Sequence, residues 1–147
     1  MMSEKERNEY LLPLVGMYFR PPADGIVKAL TSGTRLCLRP EPTNQYDPYA
    51  VAVLLRSSDV TKEEVRAVLE MHLMGYGCSL EEFDNVPEWH LGYIKKEFAR
   101  DLQPMLFSEA GVEPNEETFL NGTVVADWPC ELAFEGEKGK AMIRVCI

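Results

Sequence analysis

The stretch from Arg35 to Leu55 constrains the fold of this chain more than any other. Arg35-Leu36-Cys37-Leu38-Arg39 alternates with period two, which puts Leu36 and Leu38 on one face of a strand and Arg35, Cys37 and Arg39 on the other. The run Pro40-Glu41-Pro42-Thr43-Asn44-Gln45-Tyr46-Asp47-Pro48 is rich in turn formers. It leads into Ala50-Val51-Ala52-Val53-Leu54-Leu55, a continuous apolar run of the kind found in buried strands. Two neighbouring strands are therefore expected, with two guanidinium groups on one side of the first.

Other segments fit around this pair. Leu12 to Val15 before Gly16 reads as a first strand, broken by Pro21-Pro22-Ala23-Asp24-Gly25. Trp89 to Ile94 reads as a short strand by its aromatic and β-branched content. Thr123 to Ala126, Glu131 to Glu135 and Ala141 to Val145 read as closing strands, the last two joined by a hairpin turn at Gly136-Glu137-Lys138-Gly139. Thr61-Lys62-Glu63-Glu64 has capping-box spacing, and Val65, Val68, Leu69 and His72 follow at helical intervals, with His72 a packed, hydrogen-bonded residue. That helix should stop at Gly75 or Gly77. Ser79 to Glu82 repeats the cap spacing for a shorter helical turn ended by Asp84-Asn85-Val86-Pro87. A further helix runs from about Lys95 with Phe98, Leu102 and Leu106 toward the core, and Pro104 should kink or end it before a polar loop from Gly111 to Glu117.

At 147 residues the chain has the length of one domain, 1–147, large enough to bury a core without a metal or disulfide staple. Strands without strict βαβ alternation, together with two to three helices, predict an α+β domain built on a small, mainly antiparallel barrel-like sheet. One helix falls in an insertion at about 57–88, which carries a net charge of −6 out of the total of −9. The total argues against a protein that coats nucleic acid non-specifically, since that affinity comes from neutralising phosphates. Cys37, Cys78, Cys130 and Cys146 are scattered, so reduced thiols are expected, with no zinc site, no other metal and no cofactor. No nucleophile elbow, phosphate-binding loop, dinucleotide fingerprint or zinc-protease motif is present, and a non-enzymatic protein is expected. The acidic first residues and the short apolar run Leu11 to Val15 suit neither a secretory leader nor a membrane span, which points to the cytoplasm.

The segment Asn44-Gln45-Tyr46-Asp47-Pro48-Tyr49-Ala50 places an aromatic ring and a carboxylate at the mouth of a buried strand. Arg35 and Arg39 lie on the strand before it, Tyr18, Phe19 and Arg20 follow Gly16, and Lys95 and Lys96 open a helix after Gly92-Tyr93. Rings interleaved with cations suit a single-stranded nucleic acid, bases stacking on the rings while phosphates meet Lys, Arg or a helix N-terminus. A plain turn that uses Asp47 to accept a backbone N–H is the competing reading.

Four blocks carry a resemblance: Val15-Gly16-Met17-Tyr18-Phe19, Gly33 to Pro42, Asn44 to Val53, and Leu91-Gly92-Tyr93-Ile94-Lys95-Lys96-Glu97-Phe98-Ala99. The combination Arg-x-Glu-x-x-Asn-x-Tyr-Asp-x-x-Ala-Val followed later by Gly-Tyr-Ile-x-Lys is the most specific part. The chain resembles the HIRAN domain family over roughly residues 12 to 135, including Leu120 to Val125, interrupted by the acidic insertion. The resemblance implies an OB-like or SH3-like small barrel and, in DNA-repair members, recognition of the 3′ end of single-stranded DNA. Tyr46 would then stack on the terminal base, Asp47 would accept the 3′ hydroxyl and Lys96 would meet a phosphate. Tyr93 stands where a relative has a phosphate-contacting His. Tyr18-Phe19-Arg20 stands where DNA-binding relatives have an Arg followed by two Tyr. The alternative is a protein-interaction module on the same barrel, docking a partner on the helix from Thr61 to Met74 with its acidic flanks.

Overall fold

A computed structural model describes residues 8–111, 127–136 and 139–147. The chain runs β1 (Glu9–Val15), a 3-10 turn (Met17–Phe19), α1 (Ala23–Ala29), β2 (Arg35–Pro40) and β3 (Val51–Arg56). A second 3-10 turn (Ser57–Asp59), α2 (Glu63–Met74) and α3 (Leu80–Asn85) lead to β4 (Glu88–Ile94), α4 (Lys96–Ala110), β5 (Trp128–Glu135) and β6 (Lys140–Cys146). The strands close into a barrel in the order β1-β4-β3-β2-β5-β6, each neighbouring pair antiparallel. This α+β small barrel fits an OB-like fold.

The alternation in β2 is realised as expected: Leu36 and Leu38 are wholly buried and Arg35 is exposed, while Cys37 and Pro40 are also covered. Leu38 pairs with Val53 of β3, so the two predicted strands are neighbours. Leu36, Leu38, Val51, Val53, Leu55, Leu91, Leu132 and Ile143 share one core. Each aliphatic side chain withdrawn from water there contributes about 1.5–3 kcal/mol, which accounts for stability without a staple. The four cysteines are free thiols, Cys37 and Cys130 buried.

Four α-helices stand among the described residues, where two to three were expected. The additional one is α1, which the Pro21-Pro22 break conceals. It has only seven residues, but Ile26, Val27 and Ala29 are buried and it packs against α2 and β4. Tertiary burial, which sequence periodicity over so short a stretch does not reveal, sustains it.

Four local expectations are corrected. Thr61 does not cap α2; Lys62 holds the N-cap position with no side-chain cap bond. Arg66 fixes that end instead, its Nη1 donating to the Val60 carbonyl (3.0 Å) while Nη1 and Nη2 grip Asp84 (3.1 and 2.6 Å), which ties α2 to α3. The buried stripe of α2 centres on Leu69 and Leu73; Val68 is exposed, and His72 is half-buried and makes no side-chain hydrogen bond among the described residues. In α4, Phe98 is 41% exposed and Ala99 takes its place toward the core. The small Ala99 lets the helix approach the barrel closely enough for buried Gln103 to donate to the Ala50 carbonyl (3.0 Å). Pro104 does not end α4 either, because it lies on the exposed side, where water can solvate the carbonyl it leaves without a donor. The helix continues to Ala110, and the Gly111 amide closes it onto the Phe107 and Ser108 carbonyls.

Ser79 caps α3 as predicted, accepting from the Glu82 amide (3.0 Å). The strand expected at 123–126, the rest of the 112–117 loop, the block 120–125 and the tip of the 136–139 turn lie outside the described residues.

Candidate nucleic-acid interface

Three chain segments meet at one rim of the barrel. Gly16, at φ 87°, turns the end of β1 into the 3-10 turn. That conformation costs glycine little and other residues more. The turn leaves Tyr18 and Phe19 74% and 89% exposed and delivers Arg20 to the barrel mouth.

The second segment joins β2 to β3 and builds its own turn. Asn44 Oδ1 accepts from the amides of Tyr46 (2.9 Å) and Asp47 (3.1 Å), and Asp47 Oδ1 accepts from the Tyr49 amide (3.0 Å). The expected turn role of Asp47 is thus real, but it engages one carboxylate oxygen; Oδ2 has no hydrogen-bond partner among the described residues. The loop base is pinned at the Ala50 carbonyl, which accepts from the Glu41 amide (2.9 Å) and from Gln103. Held this way, the loop leaves the Tyr46 ring 87% exposed.

The third segment is the passage from β4 into α4. The Lys95 amide donates to the Pro13 carbonyl (3.0 Å), fixing the start of α4 beside β1. A cleft of about 300 Å³ lies between the three segments. Arg20, Asn44, Tyr46, Asp47, Tyr93 and Lys96 line its sides over a floor of Val15, Ala50 and Ile94.

Tyr93 connects the walls. Its hydroxyl donates to Glu41 Oε1 (2.9 Å) and accepts from Arg20 Nη2 (3.2 Å), with the Arg20 Cζ 5.2 Å from the ring centroid. Glu41 Oε1 also accepts from Asn44 Nδ2 (3.1 Å). Burial, and then the neighbouring Glu41, hold the Tyr93 phenol above its ordinary range, so it keeps its proton near neutral pH. His90 sits behind Tyr93, edge to face at 4.8 Å, with both ring nitrogens buried and neither hydrogen-bonded among the described residues, although Nε2 lies 3.8 Å from Glu41 Oε2.

Burial, followed by the Arg20 charge, pushes the His90 pKa below its ordinary 6.5. The unfolded chain therefore takes up a proton near pH 6.5 that the folded protein refuses until lower pH. Stability is expected to be unaffected by this group above that pH and to decline as pH falls through the window below it. Melting temperatures measured at pH 7.5 and 5.5 check this: the acid loss should shrink in His90→Phe, and an equal loss in both proteins would contradict it.

Not all of the cations singled out in the sequence reach the cleft. Arg39 is clamped by Glu88 and by Asp127, its Nε and Nη2 at 2.8 and 2.7 Å from the Asp127 oxygens. Both carboxylates hold its guanidinium pKa higher still, and its charge is neutralised across the barrel wall. Arg35 lines a different groove with Trp128, Glu131 and Arg144. Lys95 is at the rim, paired with Glu97 at 3.1 Å. Arg20 and Lys96, by contrast, make no ion pair among the described residues. Sequence reasoning missed Glu41, His90 and Gln103. Glu41 sits between two prolines in a stretch read as turn and as part of the family resemblance, with no role assigned to it, and no local pattern signals that it reaches across to Tyr93.

Among the described residues no cluster of His, Cys, Asp and Glu could hold a metal ion, and no helix is long and apolar enough to cross a membrane. A closed small barrel with an aromatic- and cation-lined cleft at its rim defines a small binding module of OB-like build. The HIRAN domain family model matches residues 8–127, and the chain belongs to that family. HIRAN is a family of DNA-binding domains, a binding rather than a catalytic class. No curated protein and no solved structure matched the chain.

Proposed function

We infer that the cleft takes the 3′-terminal nucleotide of a single DNA strand. The base stacks on Tyr46, the terminal hydroxyl donates to Asp47, and Arg20 and Lys96 meet the neighbouring phosphates. Tyr18 and Phe19, exposed on the turn that carries Arg20, offer rings to the next base, with Lys95 at the rim. The observation that carries this reading is the convergence, in about 300 Å³, of an exposed ring, a carboxylate with one oxygen to spare and two unpaired cations. That volume is at the small end for ligand sites and suits one nucleotide better than a length of strand. The net charge of −9 disfavours the duplex, whose density of phosphates would face an acidic surface.

Tyr46→Ala should weaken binding of a 5′-labelled oligothymidine about 5- to 150-fold, because one lost stack costs roughly 1–3 kcal/mol. Its melting temperature should stay near wild type, since the ring buries little. Fluorescence anisotropy with parallel thermal melts checks this; wild-type affinity in the variant would remove Tyr46 from the site. The salt dependence should be shallow, with log K falling by about 1.4 per decade of salt for two phosphates at about 0.7 each. A slope several times steeper would indicate an extended basic groove instead.

One observation favours a second reading on the same fold. Ala67, Val68, Met71 and Met74 form an exposed apolar stripe along α2, bordered by Glu63 and Glu70. A basic amphipathic segment of another protein would match it in both apolarity and charge. Failure of wild-type protein to bind single-stranded DNA would move the weight to this surface.

A further inference from the structure

The cleft holds two cations of different character. Lys96 stands on α4 as a flexible point charge, whereas Arg20 follows a short turn between exposed rings and has no carboxylate within ion-pair distance among the described residues. Among the described residues, its side chain is anchored by a hydrogen bond to the Tyr93 hydroxyl. A phenol oxygen accepts well from a guanidinium when its own hydrogen points elsewhere, and here that hydrogen is donated to Glu41. A guanidinium has five N–H donors. The Tyr93 hydrogen bond engages one nitrogen of an Arg20 side chain that lines the cleft, so most of its donors are left for a ligand.

We propose that Glu41 is a positioning residue: by taking the Tyr93 hydroxyl hydrogen it turns the phenol oxygen toward Arg20 and holds that guanidinium over the cleft as the phosphate contact. Tyr93 is then a strut and not itself a phosphate ligand. The same Glu41 oxygen accepts from Asn44, whose Oδ1 orders the amides of Tyr46 and Asp47. One carboxylate thus sets the phosphate contact and the base-and-hydroxyl loop in register. This inference rests on the end-binding reading for its ligand, but the strut is a property of the free protein and is testable without DNA.

The test uses Tyr93→Phe, Glu41→Gln, Glu41→Ala, Arg20→Ala and the Arg20→Ala/Tyr93→Phe double variant. Tyr93→Phe keeps the ring and leaves the Glu41–Asn44 bond in place, so it isolates the hydroxyl. Affinity for the 5′-labelled oligothymidine should fall roughly three- to tenfold, the cost of one hydrogen bond that fixes a contact. The salt slope should fall by about 0.7, one phosphate's worth. Arg20→Ala should lose at least as much, and the double variant no more than Arg20→Ala alone. Glu41→Ala should lower the slope as Tyr93→Phe does, and Glu41→Gln, which keeps an acceptor oxygen, should restore it. Multiplicative losses in the double variant, or an unchanged slope in Tyr93→Phe and Glu41→Ala, would overturn the proposal; a loop disturbance alone lowers affinity without moving the slope. In the free protein, the NMR signal of the Arg20 side-chain Nε–H should shift in Tyr93→Phe and Glu41→Ala and stay near wild type in Glu41→Gln. No shift in the first two variants would overturn the strut outright. If wild type binds no oligonucleotide while those shifts appear, the end-binding reading fails and the strut stands.

Discussion

Gly92→Ala is expected to lower the melting temperature by up to roughly 6–12 °C, because the added methyl group meets the backbone of the barrel wall. A Cβ at this position would stand 2.3 Å from the Val15 carbonyl oxygen and 3.3 Å from Leu14 Cδ1. The first contact is with backbone, so no side-chain rotation relieves it. Gly92 pairs with Val53 beside a register shift in the β3–β4 ladder, where β1 comes in to close the barrel. The β1–β4 seam is short, with Leu14 opposite Ile94 and Val15 opposite Tyr93, and moving β1 away would open it. Overpacking of this kind costs up to about 3 kcal/mol, and each kcal/mol is about 2–4 °C for a domain of this size. Gly75→Ala, where φ is ordinary helical and the nearest contact is 3.4 Å, should be close to neutral. A Gly92→Ala melt within 2 °C of wild type, read against that control by differential scanning calorimetry, would contradict the described seam. The variant should also bind DNA poorly, because Tyr93 and Arg20 both hang from this seam.

The barrel was legible where apolar patterning is plain. Leu36 and Leu38 against Arg35 announce β2 by alternation, and the unbroken apolar run to Leu55 announces β3 as a strand covered on both faces. Helix faces were less legible. Phe98 was assigned to the core by its hydrophobicity, but the choice between Phe98 and Ala99 depends on how closely α4 approaches Ala50, a distance set by the whole barrel. The short helix α1 carries no cap or period strong enough to outweigh two prolines, and it exists because Ile26 and Val27 are buried.

The cleft divides the same way. Tyr46, Asp47, Tyr93 and Lys96 came from sequence blocks that are specific in combination, and the fold brings these four together with Arg20. Arg39 looked equivalent to Arg20 on paper. Its partners Glu88 and Asp127 are 49 and 88 residues away, so its neutralisation is invisible to any local reading. Glu41 is the mirror case: a residue that reads as turn filler contacts Tyr93, 52 positions on.

The second large effect concerns the chemistry of the strand end. Asp47 lines the cleft with one oxygen on the Tyr49 amide and the other without a hydrogen-bond partner among the described residues. A 3′ hydroxyl supplies a donor for that oxygen, and a hydrogen bond to a charged acceptor contributes about 1.5–3 kcal/mol. A 3′ phosphate removes the donor and sets a like charge against the carboxylate. The wild-type protein should therefore bind the phosphorylated end at least tenfold more weakly, and up to about 150-fold on the hydrogen bond alone. Asp47→Asn keeps an acceptor for the Tyr49 amide and the turn it forms, but removes the negative charge. It should lose affinity for the hydroxyl end and narrow the ratio between the two ends.

The most direct measurement is the dissociation constant of the wild-type protein for one oligothymidine made with a 3′ hydroxyl and with a 3′ phosphate, at fixed salt. End recognition predicts tenfold or greater preference for the hydroxyl, reduced several-fold in Asp47→Asn. Equal binding of the two ends, with Asp47→Asn indistinguishable from wild type, would contradict it and leave Asp47 as a turn residue alone.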